Sequence, residues 1–143
     1  MKLVDANVLL YAVDTSAPHH AEARNWLDEA LSSAETVILP WLCVVAFLRI
    51  STHPGIYPHP LTAEQAIRVV SGWTHRPNVV PGTPTSQHAE LLGEMLAATG
   101  VGGNLVNDAH IAALAIEHGA TIVTFDGDFG RFPGVRWEAP GTT

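Results

Sequence analysis

The chain has 143 residues, 47% of them hydrophobic and 15% charged, the make-up of one ordinary globular domain able to bury a core of its own. Fourteen acidic residues against seven basic ones give a formal charge of −7, which excludes a protein whose whole surface attracts nucleic acid. No run of about 18 apolar residues and no secretory leader pattern is present, so a soluble, cytoplasmic protein without a membrane partner is expected.

Lys2-Leu3-Val4-Asp5 reads as a short apolar strand ending on a carboxylate, and Ala6 to Tyr11 can start a short helix. Pro18 stands where a first-turn proline is tolerated before the helical stretch His19 to Leu31. Thr36-Val37-Ile38-Leu39 is a second strand, and Pro40 can begin a helix that runs to about Ser51. That helix carries the single cysteine, Cys43, in an apolar run, so it has no internal disulfide partner and reads as packing. Three prolines and a glycine make residues 53–60 a loop. Leu61 to Thr74 is helical, with Thr62, Glu64 and Gln65 forming a capped start, and Asn78-Val79-Val80 is a third strand.

A helix from about Gln87 to Ala98 is broken by the glycines of residues 99–103, and another runs from about Leu105 to His118 with Gly119 as its cap. Thr121 to Phe125 is the fourth strand, ending on Asp126, and Arg136-Trp137-Glu138 is a candidate fifth. The order β-α-α-β-α-α-β-α-α-β predicts an α/β fold, a parallel sheet covered by helices.

In such a sheet ligands bind in the crevice outside the carboxyl ends of the strands. Asp5 and Asp126 stand at two of those ends, Asp128 follows in a glycine-bounded turn, and Asp108 shares a helical face with Ile111, Ala112 and Ala115. Each also has a plainer reading: Asp5 as a turn residue with Asn7 helping to cap the next helix, Asp108 as a first-turn acid, Asp126 and Asp128 as turn formers. Carboxylates gathered in one crevice repel by roughly 4 kcal/mol per pair at about 4 Å and an effective dielectric near 20, so protons or cations must neutralise them. Oxygen donors without cysteine or paired-histidine spacing favour Mg²⁺ or Mn²⁺, which lower the pKa of a bound water and clamp phosphate oxygens. Metal-dependent phosphoryl chemistry is the predicted class. Arg49 and Arg131 are the cations expected near substrate phosphates, though structural salt bridges explain both about as well, with Asn7 as a further substrate contact.

The opening Leu3-Val4-Asp5-Ala6-Asn7-Val8-Leu9-Leu10, the central Phe47-Leu48-Arg49, the run Asn107 to Ala115 and Thr124-Phe125-Asp126-Gly127-Asp128-Phe129 together resemble a PIN-domain ribonuclease. More narrowly the chain is similar to the VapC toxins of type II toxin-antitoxin modules. The resemblance implies one PIN domain over residues 1–143 with a core of about 1–138. It also implies a three-layer α/β/α fold on a central parallel sheet of four to five strands. It further implies a Mg²⁺-dependent endoribonuclease, with Mn²⁺ able to substitute, that cuts structured RNA, is neutralised by a cognate VapB antitoxin and forms homodimers. Carried onto this sequence, Asp5, Asp108 and Asp126 become catalytic metal ligands and Asp128 a supporting or alternative ligand. The family's glutamate after the second strand is absent, and Ala46 occupies its place. Asp128 substitutes for it, one ion suffices with waters completing its shell, or the enzyme is weak; one firmly held Mg²⁺ is the preferred reading.

Two other functions compete. A Mg²⁺-dependent phosphatase or receiver-like protein also puts aspartates at strand tips, but it wants a lysine near the phosphoryl group, and the only lysine is Lys2, at the wrong end of its strand. A catalytically weak PIN-like module that binds RNA or a partner is the second alternative. His110 lies two positions from Asp108 and so points away from it, and Trp26, Trp41, Trp73 and Trp137 read as core or interface anchors before base-stacking platforms.

Overall fold

The computed structural model describes residues 1–100 and 102–141. Val101, within the glycine break, and Thr142 and Thr143 of the tail lie outside the described residues.

Five strands, β1 (Lys2–Val4), β2 (Val37–Ile38), β3 (Val79–Val80), β4 (Thr121–Val123) and β5 (Trp137–Glu138), form one sheet in the order β3-β2-β1-β4-β5, all parallel. Among the described residues six α-helices lie between β1 and β4: α1 (Ala6–Val13), α2 (His20–Leu31), α3 (Trp41–Ser51), α4 (Ala63–Thr74), α5 (His88–Thr99) and α6 (Leu105–His118); a 3-10 turn (Gly127–Arg131) leads to β5. This is the α/β/α layering expected from the sequence, and the fifth strand is present.

The layering follows from strand alternation. Val4, Val37 and Val123 pack with Leu9, Leu27, Val44 and Phe47 on the α1–α4 side. Leu3, Ile38 and Ile122 turn the other way, onto Met95, Ala112, Leu114 and Phe129 of the α5–α6 side. Every one of these residues is at most 2% exposed, so both faces are dry and the strands can be short.

Local signals mostly fall where expected. Thr62 caps α4 through Gln65 N and Gln65 returns the bond, a complete capping box. Gly119 ends α6 in the left-handed region, φ 64° and ψ 31°, where a side chain would be strained. Differences arise at helix starts. His20, not His19, opens α2, because Asp14 Oδ1 captures both the N–H and the hydroxyl of Ser16, and Pro18 is held in the turn that follows. α4 likewise begins at Ala63 rather than Leu61, and α1 continues to Val13, past Tyr11.

A hydrogen-bonded knot joins α5 to α6. Glu117, whose side chain is 1% exposed, accepts hydrogen bonds from Thr85 N (2.9 Å) and Thr85 Oγ1 (2.6 Å) and pairs with His88 Nδ1 (2.5 Å). His88 Nε2 then meets His110 Nδ1 at 2.9 Å. His110 thus faces α5 and not Asp108. Burial alone would raise the Glu117 carboxyl, but the bonds from Thr85 and His88 outweigh it and hold the group below the ordinary carboxylate range. A depressed carboxylate contributes stability above its unfolded pKa and loses it as pH falls through the folded value. Glu117→Gln turns an amide N–H₂ toward donors, and should cost about 2–4 kcal/mol at pH 7. In thermal melts the gap to wild type should close as pH drops through the acid range; a constant gap would show that the charge is not what matters.

Candidate active site

β1 is the switch point of the sheet: the chain walks outward from β1 to β2 and β3, then returns to the other flank of β1 as β4. Between the carboxyl ends of β1 and β4 the connections diverge and a crevice opens. Asp5 follows β1 and Asp126 lies three residues past β4, so the topology delivers two acids to that crevice.

Asp5 is also the N-cap of α1, with Oδ1 accepting from Ala6 N at 2.8 Å. Its Oδ2 accepts from Thr124 Oγ1 at 2.9 Å and, more weakly, from Asn7 Nδ2 at 3.4 Å. Thr124, 0% exposed, in turn accepts from Asn7 Nδ2 and from Asp126 N, each at 3.0 Å. Asn7 Oδ1 takes Phe125 N at 3.2 Å, and Asp126 Oδ1 takes Asp128 N at 2.9 Å. One hydroxyl therefore ties the tip of β1 to that of β4, holding the Asp5 carboxylate and the backbone of Asp126.

Asp5, Asp108, Asp126 and Asp128 line one cleft of about 450 Å³, together with Ala46, Arg49 and Arg131. Asp108 enters from the first turn of α6, with its neighbours Ile111, Ala112 and Ala115 buried as the face pattern predicted. Arg49 projects from α3 with no carboxylate in ion-pair range among the described residues. Arg131 Nε donates to Asp128 O at 3.1 Å and its guanidinium stands 3.8 Å from the Asp128 carboxylate, an exposed pair that stabilises little. Asn7 is brought to the site beside the cleft, with its amide bonded to Asp5, Thr124 and Phe125. The methyl of Ala46 lies on the cleft wall where an acid from α3 would stand.

Burial and mutual repulsion raise two carboxylates of the cleft. Burial, then the charges of Asp5 and Asp126, push Asp108 up to about 6, with Arg131 pulling the other way. Asp5 is raised as well, by burial first, against the lowering bonds of Thr124 and Ala6. Cys43, whose Sγ lies 3.9 Å from Asp5 Oδ1, is pushed well up by burial and by that charge, so it remains a thiol and packs as expected. Among the described residues no three His, Cys, Asp or Glu side chains stand close enough to enclose an ion by themselves. Mg²⁺ keeps several waters and needs only one or two protein carboxylates, so an open oxygen set fits this ion and fits zinc poorly.

Thr124 escapes a reading by residue chemistry, because a threonine ending a strand is common; its place between β4 and Asp126, level with Asn7 two residues after Asp5, was the available signal. Asn104 and Asn107, also in the cleft wall, carried none.

The PIN domain family model matches residues 2–135. Ribonuclease VapC37 of Mycobacterium tuberculosis is 54% identical over 140 residues, 98% of this chain and 97% of the relative. Ribonuclease VapC31 of the same species is 35% identical over 140 residues, 98% and 99% of the two chains. Among solved structures, VapBC2 from Rickettsia felis bound to a promoter DNA fragment superposes with a TM-score of 0.68 at 22% identity, covering 96% of this chain and 97% of that one. VapBC-1 from nontypeable Haemophilus influenzae gives a TM-score of 0.68 at 20% identity, covering 99% and 98%. At such identities these two structures bear on the fold alone.

Proposed function

Because the chain belongs to the PIN domain family, we propose that it is a divalent-metal-dependent endoribonuclease of the VapC type, the cytoplasmic toxin of a module whose VapB-type antitoxin holds it inactive. The observation that carries this is the cleft itself: four aspartates from three separate stretches of chain gathered at the sheet's switch point, with Asp108 lifted to about 6 by burial and by its neighbours' charge. The names of the relatives, ribonucleases at 54% and 35% identity over nearly the whole chain, support the same activity. No helix among the described residues is long and apolar enough to cross a membrane.

Asp5, Asp108 and Asp126 would hold the ion, Mg²⁺ with Mn²⁺ as a substitute, partly through waters that complete its shell, and Asp128 stands by at the rim. When bound, the ion acidifies a water and offsets charge on the phosphodiester. The chain supplies the rest. Thr124 and Asn7 fix the Asp5 carboxylate so that little reorganisation is needed, and Arg49 and Arg131 offer forked donors to phosphate oxygens in a protein otherwise repelling them. Because the net charge opposes bulk attraction, recognised RNA shape is expected to select the cut site. A homodimer belongs to the same proposal.

One observation favours the runner-up, a binding module with weak catalysis: no carboxylate comes from α3, where Ala46 stands. Purified protein incubated with Mg²⁺ or Mn²⁺ and structured RNA decides between them. Discrete fragments are expected, lost on adding EDTA and in Asp5→Asn. RNA that is bound but left whole in both metals would establish the module instead.

A further inference from the structure

The four tryptophans have different surroundings. Trp73 packs edge-on against Phe47 with ring centroids 4.9 Å apart, and Trp26 is half-buried in the α2 core. Trp137 covers the turn at 127–131, where a Cβ on Gly130 would stand 3.2 Å from its Nε1. Trp41 alone is more exposed than covered, at 56%.

Its position is specific. Trp41 opens α3 directly after β2, so it lies at the carboxyl edge of the sheet, the edge that carries the acidic cleft. Leu42, Cys43, Val45, Ala46 and Arg49 of the same helix line that cleft. Residues four apart share a helical face, so Trp41, Val45 and Arg49 form one row, Val45 being 51% exposed. At about 1.5 Å per residue, Trp41 stands about 6 Å from Val45 and about 12 Å from Arg49 along the axis. The row thus runs from an aromatic plane, past an apolar patch, to a guanidinium with no carboxylate partner among the described residues.

We infer that Trp41 is a stacking platform for an unpaired nucleobase of the RNA, with Arg49 taking a phosphate further along the same strand. This rests on the nuclease reading of the cleft and names a substrate-positioning residue for it. Electrostatics favours the assignment. A chain of net charge −7 gains little from counterion release, whereas stacking on an aromatic face is indifferent to charge and accepts any base. An RNA so held is single-stranded at the cut, with its base drawn out of the helix and its backbone laid along α3 toward the acids.

The test is steady-state cleavage by the full chain in Mg²⁺ or Mn²⁺, with Trp41→Ala, Trp41→Phe and Arg49→Ala beside wild type. Trp41→Ala should raise KM roughly 5- to 150-fold, the range of one lost stack, with kcat nearly kept. Trp41→Phe should restore most of the affinity. Added salt should shrink the Arg49→Ala defect and leave the Trp41→Ala defect unchanged. An unchanged KM in Trp41→Ala overturns the inference while leaving the nuclease intact. So does a fall in solution mass, which would make the row a contact between two copies of the chain. A wild-type protein that neither cuts nor binds RNA overturns the nuclease reading and this one with it.

Discussion

Asp108→Asn should abolish RNA cleavage and make the metal-free protein more stable. The first effect follows from ligand loss. Changes in residues that merely orient a metal's ligands cost about 10–100-fold, so removing a charged oxygen from the cleft should exceed about 100-fold in kcat/KM. The second effect is the sharper one, because ordinary substitutions destabilise. Asp108 sits at about 6 instead of 3.8, through burial and then the charges of Asp5 and Asp126. The folded state therefore binds a proton that the unfolded chain has already released. A raised carboxylate makes stability fall as pH rises from about 4 to about 6, and the full penalty persists above that. The shift converts to at most about 3 kcal/mol, and solvent screening in an open cleft reduces it to about 1–2 kcal/mol. In EDTA at pH 7.5, Asp108→Asn should melt a few degrees above wild type, and the two curves should merge below about pH 4. Saturating Mg²⁺ should reverse the order by stabilising wild type alone. If the variant melts lower in EDTA, the acids do not repel and the cleft is not built for a cation.

Much of this was legible because the signals were local. Apolar runs that end on acids located β1, β4 and their tips, and the 3.6-residue pattern around Asp108 placed it on the buried side of α6. The glycine at 119 and the Thr62–Gln65 box fixed helix ends, since each depends on neighbours within four residues. What stayed hidden depends on partners far along the chain. The part Asn7 plays in bracing the strand tips was hidden because nothing near it reveals that Phe125 N, 118 positions away, donates to its oxygen. The Glu117–His88–His110 knot was equally silent: no spacing rule announces that residues 29 apart will be hydrogen-bonded. Trp41 could be weighed only as one of four tryptophans, because exposure is a property of the packed molecule.

Thr124→Val should separate aiming from folding, and it follows from the same long-range logic. Valine keeps the shape of a residue that is 0% exposed but removes one donor and one acceptor. Asp5 Oδ2 loses a 2.9 Å bond, while Asn7 Nδ2 and Asp126 N each lose a 3.0 Å acceptor. The unpaired groups should cost about 1–3 kcal/mol, a modest loss for a marginally stable domain. Activity should fall more than stability explains, by about 10–100-fold, the typical cost of removing a group that orients a metal ligand. Without that bond, which lowers the Asp5 carboxyl, Asp5 rises further, so Mn²⁺ binding should weaken and its pH midpoint should move upward. Thr124→Ser, which retains the hydroxyl, should recover both the midpoint and most of the rate. A Thr124→Val protein that melts lower yet binds Mn²⁺ with the wild-type pH midpoint and cuts RNA at the wild-type rate would reduce Thr124 to packing, leaving Asp5 aimed by its own cap on α1.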